Sequence, residues 1–331
     1  MTTLATPTKA RGRYAQQVRA RRPPKPPVDV WRPFGVDTEE ERRLDGTLVR
    51  AVTVFLAGSE CPFTCVFCDL WRYTIDGPTP QGAIPAQLRL ALDGLDGDPA
   101  NTHLKLYNAS NFFDARAVPV VDDPEILDLV EPFGRVIVEC HPRLIRQRCF
   151  DFAERLDGRL EVGMGLETIH PDAQPQLGKG ATVDDFRRAA GALRGRGIAW
   201  RAFILVGAPF IPADDTVPWV ERTAAFALEH GAAQVSLIPV RGGNGELEHL
   251  ASEGVFIAPT LEQVEDAFDR CLALEEHFDG VVTVDPWDLE HFVPCDACGP
   301  SRIDRLVRMN LSGRRIARQE CSECRSGGRK P

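Results

Sequence analysis

Three cysteines, Cys61, Cys65 and Cys68, fall within eight residues at the spacing C-x3-C-x2-C. Three thiolates on one loop can grip a single metal centre. A cubane [4Fe–4S] cluster has four irons and ordinarily takes four cysteines, so three leave one iron with an open coordination position. Three unrelated cysteines, or half of a zinc site, are the rival readings. Zinc sites usually pair two C-x2-C knuckles, and no such partner follows closely. A second constellation, Cys295-x2-Cys298 and Cys321-x2-Cys324, lies 22 residues apart across its two pairs and has the donor set of a tetrahedral S4 site. The isolated Cys140, Cys149 and Cys271 read as small buried apolar residues.

These loops need a scaffold. The apolar run Ala51–Ala57 directly precedes the first cysteine loop, and similar runs lie near 103–109, 135–140, 160–166, 199–206 and 234–240. Helical patterns fill the gaps: Pro85–Leu95, Pro124–Glu131, Pro142–Leu156, Val183–Arg196 and Pro218–His230. Alternating strand and helix predicts βαβ units with a parallel sheet. The fold class expected is α/β, a partial (β/α)6 TIM-like barrel with a C-terminal zinc-ribbon-like module of four cysteines. On such a barrel, reactive groups sit in loops at the carboxyl ends of strands, where the first cysteine loop falls. Residues 1–27, rich in proline, predict a disordered or extended basic arm. Residues 28–290 would be the barrel with an N-terminal extension, in which Glu39–Arg43 belongs to a short helix. Residues 291–331 would be the metal module. After the sixth strand the glycine-rich stretch Arg241–Gly245 reads as a flexible loop with no clean helix start, and a helix over Thr260–His277 and a strand near Val281–Val284 close the barrel.

The chain of 331 residues has a net charge of −9, unevenly spread: residues 1–27 carry +7 and residues 299–331 carry +6, leaving −22 for the middle. Basic ends on an acidic body suggest a polyanionic partner at the periphery. Arg302, Arg305, Arg308, Arg314, Arg315 and Arg318, between the distal cysteine pairs, are candidates for phosphate contacts. The first thirty residues lack the apolar core of a signal peptide, and no apolar run is long enough to cross a bilayer, so a soluble cytoplasmic protein without a membrane partner is expected.

The cysteine loop, with aromatic Phe67 before its third cysteine, resembles the signature of the radical SAM superfamily. The resemblance implies that S-adenosylmethionine chelates the open iron. An electron from a donor such as flavodoxin or ferredoxin then cleaves it, and a 5′-deoxyadenosyl radical abstracts hydrogen from a substrate, in lyase or transferase chemistry. Cys61, Cys65 and Cys68 would be the catalytic cluster ligands. A glycine-glycine-glutamate turn common in such enzymes is missing from this chain, so its role would pass to Asn108, Ala109 and Ser110. Glu139 and Glu167, at strand ends, would meet ribose hydroxyls and the methionyl amine, unless they are held in salt bridges, for instance with Lys179; a carboxylate in a barrel mouth is costly without a partner. Lys179 would otherwise meet the cofactor carboxylate, standing where such enzymes often have arginine. Phe55 and Phe67 complete the expected cofactor contacts.

Glu-Cys-His-Pro at 139–142, Gly-Leu-Glu-Thr at 165–168, Lys179-Gly180 and Gly207-Ala-Pro209 resemble the Elp3-like group. Within it, Leu106–Asp114 and Leu160–Pro209 are most similar to the radical SAM subunits of archaeosine synthases, which modify tRNA. That implies tRNA nucleoside modification; the alternative is action on a small metabolite, with the four-cysteine module purely structural. At the distal site, zinc is the expected ion and an auxiliary iron–sulfur cluster the rival.

Overall fold

The computed structural model describes residues 8–325 except Pro294. Eight strands form one sheet: β1 (Gly35–Arg42), β2 (Leu48–Leu56), β3 (Thr102–Asn108), β4 (Arg135–Glu139), β5 (Leu160–Glu167), β6 (Ala199–Val206), β7 (Gln234–Pro239) and β8 (Val281–Val284). Each strand pairs with the next in sequence order. β1 runs antiparallel to β2 and every other pair is parallel. Six crossovers join the seven parallel strands, through α2 (Ala83–Leu92), α3 (Asp123–Val130), α4 (Gln147–Arg155), α5 (Val183–Arg194), α6 (Thr216–Glu229), and finally α7 (Glu246–Ser252) with α8 (Leu261–Leu272). Sequential parallel strands with one crossover hand curl the sheet. The expected α/β (β/α)6 half-barrel is what the chain forms.

The sheet's convex face packs on the helices through one large core, with Leu104, Leu106, Val136, Val138, Val162 and Ile204 fully buried. Its concave face is polar at depth. Glu41 of β1 reaches Arg201 of β6 (3.0 Å) and Lys105 of β3 (2.7 Å), and Arg201 also pairs with Glu161 of β5. Strands so far apart in the sheet order meet only across a curled interior. The network satisfies charges that would otherwise be costly to bury.

Two expectations are corrected. Residues 35–42 form strand β1, where a short helix was expected, because Glu39 and Glu41 find Lys105 inside the barrel and gain a ladder along β2. The arm is not without structure: α1 (Thr8–Ala20) is helical, anchored by Val18, which is buried in a second apolar cluster, and followed by the pairs Arg21–Glu246 (2.9 Å) and Arg22–Glu60 (2.8 Å). The parts of the basic ends at residues 1–7 and 326–331 lie outside the described residues.

The open sheet is bridged by α9 (Gly299–Ser312). Asn310 exchanges hydrogen bonds with Val284 of edge strand β8 (2.9 and 2.7 Å). Its carbonyl accepts from Arg42 of edge strand β1 (3.2 Å). Leu306 and Met309 of α9 join the main core, so the distal cysteine segment is welded to the barrel. Among the described residues no helix is long and apolar enough to cross a membrane.

Candidate active site and metal centre

The loop Cys61–Cys68 leaves the carboxyl end of β2 and is held from two sides. On one side, Val66 N–H donates to the Leu177 carbonyl (3.0 Å). Gly178 follows with φ +73°, and a Cβ there would collide with the Thr64 carbonyl; the backbone comes this close only because the residue is glycine. Gly180, at φ +75°, likewise lies against the Phe63 ring. On the other side, buried Asn244 donates from Nδ2 to the Val66 carbonyl (2.8 Å) while its Oδ1 accepts from Leu247 N–H (2.8 Å) at the start of α7. Glu248 reaches back to the backbone of Gly243 and Gly245. A helix does therefore follow the glycine-rich loop directly, contrary to expectation, because these side chains cap it instead of a serine or threonine.

Next to the sulfurs, Asn111 Nδ2 donates to Cys61 Sγ (3.3 Å), and its Oδ1 accepts from His141 N–H (2.8 Å). The His141 ring stacks on Phe63 at 3.8 Å and 14°. Burial holds its pKa down at about 3, so this imidazole is neutral. Burial also pushes the thiols up, Cys68 to about 12 and Cys65 well above its ordinary value. Free thiolates are disfavoured in this setting, whereas thiolates bonded to a cationic metal centre would be neutralised in place. The donor set and its surroundings fit an iron–sulfur centre.

The strand ends beside this loop hold the other expected residues. Asn108 is buried, and its Oδ1 and Ser110 Oγ lack hydrogen-bond partners among the described residues. Ser110 N–H turns back to the Asn108 carbonyl (2.6 Å). Two orphaned polar atoms on one turn are unusual and fit a polar ligand. Glu167 follows a register shift in β5 and adopts φ +64°, a conformation that costs an ordinary residue energy and clusters at functional sites. Its carboxylate accepts from Lys179 Nζ at 2.7 Å. Gly165 makes room for that pair, because a Cβ would strike both side chains. The structure thus brings Glu167 and Lys179 to each other. The positive field of Lys179 also reaches Cys65, and against the opposing effect of burial the Glu167 carboxylate raises the pKa of the lysine.

Among the described residues Glu139 has no charged partner in contact. Burial, with Glu167 adding to it, raises its carboxyl to about 8. Phe55 is partly buried, 6.4 Å from Trp287 across the open side of the barrel. Phe67 packs on the second apolar cluster with Val66 and Val18. Ala109 lies on the same turn as Asn108 and Ser110. Sequence reasoning singled out none of Asn111, His141 or Asn244 as a support of the loop.

At the far end of the chain, the sulfurs of Cys295, Cys298, Cys321 and Cys324 all lie within 4.8 Å of one another. Cys295 and Cys321 Sγ are 3.9 Å apart, and Cys298 and Cys324 Sγ 3.6 Å apart. Four sulfurs at about 2.3 Å from one tetrahedral ion stand about 3.8 Å from each other, so the spacing fits a single ion. The two pairs are joined by helix α9; the stretch has no ribbon strands among the described residues.

Four of the six candidate arginines of this segment pair with acids at 3.6 Å or less. Arg302 pairs with Glu265 (2.6 Å), Arg305 with Asp269 (2.6 Å), Arg318 with Asp266 (2.6 Å) and Asp269 (2.7 Å), and Arg308 with Asp304 (3.6 Å).

No protein-family model matches the chain. An uncharacterised protein of Methanocaldococcus jannaschii is 21% identical over 231 residues, 66% of this chain and 63% of its own. The Elp3 of Methanocaldococcus infernus, solved with an N-terminal deletion, overlays at TM-score 0.51 and 13% identity, over 82% of this chain and 65% of that one. A looser overlay, TM-score 0.43 at 15% identity, is with the coproporphyrinogen III oxidase of Escherichia coli, a radical SAM enzyme, over 80% of this chain and 55% of that one. The chain spans less than two thirds of the length of each. The Elp3 likeness is one of fold.

Proposed function

We propose that the protein is a radical SAM enzyme, with a [4Fe–4S] cluster held by Cys61, Cys65 and Cys68. The observation that carries the reading is the position of this loop at the carboxyl edge of a parallel half-barrel, beside a turn with two unpartnered buried polar atoms, Asn108 Oδ1 and Ser110 Oγ. When bound, the cluster and S-adenosylmethionine together supply one-electron cleavage of a sulfonium C–S bond and a 5′-deoxyadenosyl radical. The chain's own part is positional. Asn111 orients Cys61, while Leu177–Gly180 and Asn244 clamp the loop backbone. Asn108 and Ser110 would offer acceptors to the cofactor's amino group, and Glu139 would meet its ribose hydroxyls. Lys179 neutralises Glu167 and lends positive charge near the cysteine thiolates. A flavodoxin- or ferredoxin-class donor in the cytoplasm is the electron source this reading requires.

For the substrate, tRNA nucleoside modification is supported by the motif resemblance to archaeosine synthase subunits. The ion pairing of Arg302, Arg305, Arg308 and Arg318 favours the second reading, a small metabolite, with the four-cysteine site structural and occupied by zinc. Anaerobic reconstitution, reduction with dithionite and assay of 5′-deoxyadenosine test the first claim. Cys61→Ser, Cys65→Ser and Cys68→Ser are each expected to abolish it, and cleavage surviving in any one refutes the assignment. Stimulation of cleavage by bulk tRNA would select the first substrate reading, and indifference to it the second.

A further inference from the structure

The first helix does little to hold the barrel together. Among the described side chains of α1 only Val18 is buried. A helix of 13 residues with one apolar anchor is marginal by itself. What sets this arm apart is where its contacts land. Val18 belongs to the second apolar cluster together with Val66 and Phe67, which lie between Cys65 and Cys68. Arg22 Nη1 meets Glu60, the residue before Cys61, at 2.8 Å. The same guanidinium lies over the ring of Trp71, three residues past Cys68, at 4.8 Å from its centroid. One side chain, itself 13% exposed, thus joins both ends of the cysteine loop.

Arg21 engages the other support of that loop. Its guanidinium meets buried Glu246 at the start of α7 (2.9 Å). Its carbonyl fills the space that a Cβ on Gly245 would take, where φ is +88°. The two segments come this close only because residue 245 is glycine. The residue before it, Asn244, is the one that holds the Val66 carbonyl. Pairing for general stability would favour no particular site. These contacts converge on the cysteine loop and on the residues beside its asparagine clamp.

We propose that residues 12–25 form a strap over the cluster loop, with Arg21 and Arg22 as positioning residues, which keeps the loop closed and shields the centre it holds from water and dioxygen. The proposal rests on the reading of Cys61–Cys68 as a cluster loop. The strap takes no part in the chemistry; it lowers the fraction of time that the loop is open.

The full-length chain, free of iron but with its distal site filled, is labelled anaerobically with iodoacetamide, and peptide mass spectrometry reads the rate at each cysteine. Arg22→Ala is expected to speed labelling of Cys61, Cys65 and Cys68 about tenfold, the population shift that follows loss of a hydrogen bond to a charged group. Val18→Asp, which removes the apolar anchor, is expected to do at least as much. Arg22→Lys keeps a cation facing Glu60 and should restore most of the protection. Arg13→Ala, exposed on the same helix, should label as the wild type does, and buried Cys271 should label equally slowly in every variant. After anaerobic reconstitution, the visible absorbance of the iron–sulfur centre should bleach in air faster in Arg22→Ala and Val18→Asp than in the wild type. Wild-type labelling rates at the three cysteines in both variants, equal bleaching rates, or a parallel rise at Cys271 that marks general unfolding would each overturn the strap. A wild-type chain that takes up no iron–sulfur centre would overturn the cluster reading instead, and the labelling rates would still decide whether the arm closes this loop.

Discussion

Asn244 gives the sharpest test of how the cysteine loop is held. It is 2% exposed. Its amide donates to the Val66 carbonyl at 2.8 Å and, at 3.4 Å, to that of Cys68, while its oxygen accepts from Leu247 N–H at 2.8 Å. In Asn244→Ala the Val66 carbonyl and the Leu247 N–H are both left buried without partners. An unsatisfied buried group costs about 1–3 kcal/mol, so the loss of both partners is about 2–6 kcal/mol. For a chain of this size that is a fall in melting temperature of roughly 5 °C at fixed scan rate. The functional consequence is larger than the stability loss, since the released carbonyl lies between two of the three cysteines. Iron per chain after anaerobic reconstitution is expected to fall well below that of the wild type. Asn244→Asp separates the two bonds: it keeps the acceptor for Leu247 and loses the donor to Val66, so α7 should hold while iron is still lost. A variant Asn244→Ala with wild-type iron content and melting temperature would refute the clamp.

Gly178→Ala places a methyl group against the Thr64 carbonyl at a positive φ. The conformation alone costs about 1–2 kcal/mol and the collision adds to it. Iron loading should drop, while Gly191→Ala, in α5 with open space around it, should leave loading unchanged. Glu139 predicts a pH effect. Its folded-state pKa, raised by burial to about 8, exceeds the ordinary unfolded value of about 4.3, so the folded form keeps a proton that the unfolded chain releases. Stability from this group is therefore present below about pH 4 and declines as pH rises towards 8. Full burial would make that decline about 5 kcal/mol; partial opening of the residue to the barrel mouth reduces it to about 1–2 kcal/mol. Glu139→Gln should flatten the decline in denaturant titrations between pH 5.5 and 8.5 without S-adenosylmethionine, and an unchanged slope would contradict its origin in this buried carboxyl.

Much of the barrel was legible because parallel strands covered by helices read as short apolar runs. Strand β1 was not. In Gly35–Arg42 the inward side chains are Glu39 and Glu41, which makes an acidic stretch look like a solvated helix. Its partners, Lys105 and Arg201, lie 66 and 160 residues away. The metal donors were legible because their spacing is local. Their supports were not, since Asn111 acts across 50 residues and Asn244 across 178. A lone asparagine carries no periodicity, and nothing near it in sequence reveals which carbonyl it will meet. Glu167 was picked out by a different kind of reasoning, the cost of a carboxylate at a barrel mouth. The structure supplies its neighbour, Lys179.

The charge asymmetry changes meaning once the fold is known. Basic ends on an acidic body looked like two hands held out to a polyanion. In the structure much of that charge is answered within the chain: Arg21 by Glu246, Arg22 by Glu60, Lys25 by Asp76, and Arg302, Arg305 and Arg318 by acids of α8. These contacts tie α1 beside the cysteine loop and the distal four-cysteine segment onto the barrel. Exposed pairs of this kind contribute little individually, but those with one buried partner, such as Glu246 or Glu265, cannot be broken without leaving a charge stranded. A polyanion binding along the whole basic surface would have to break them.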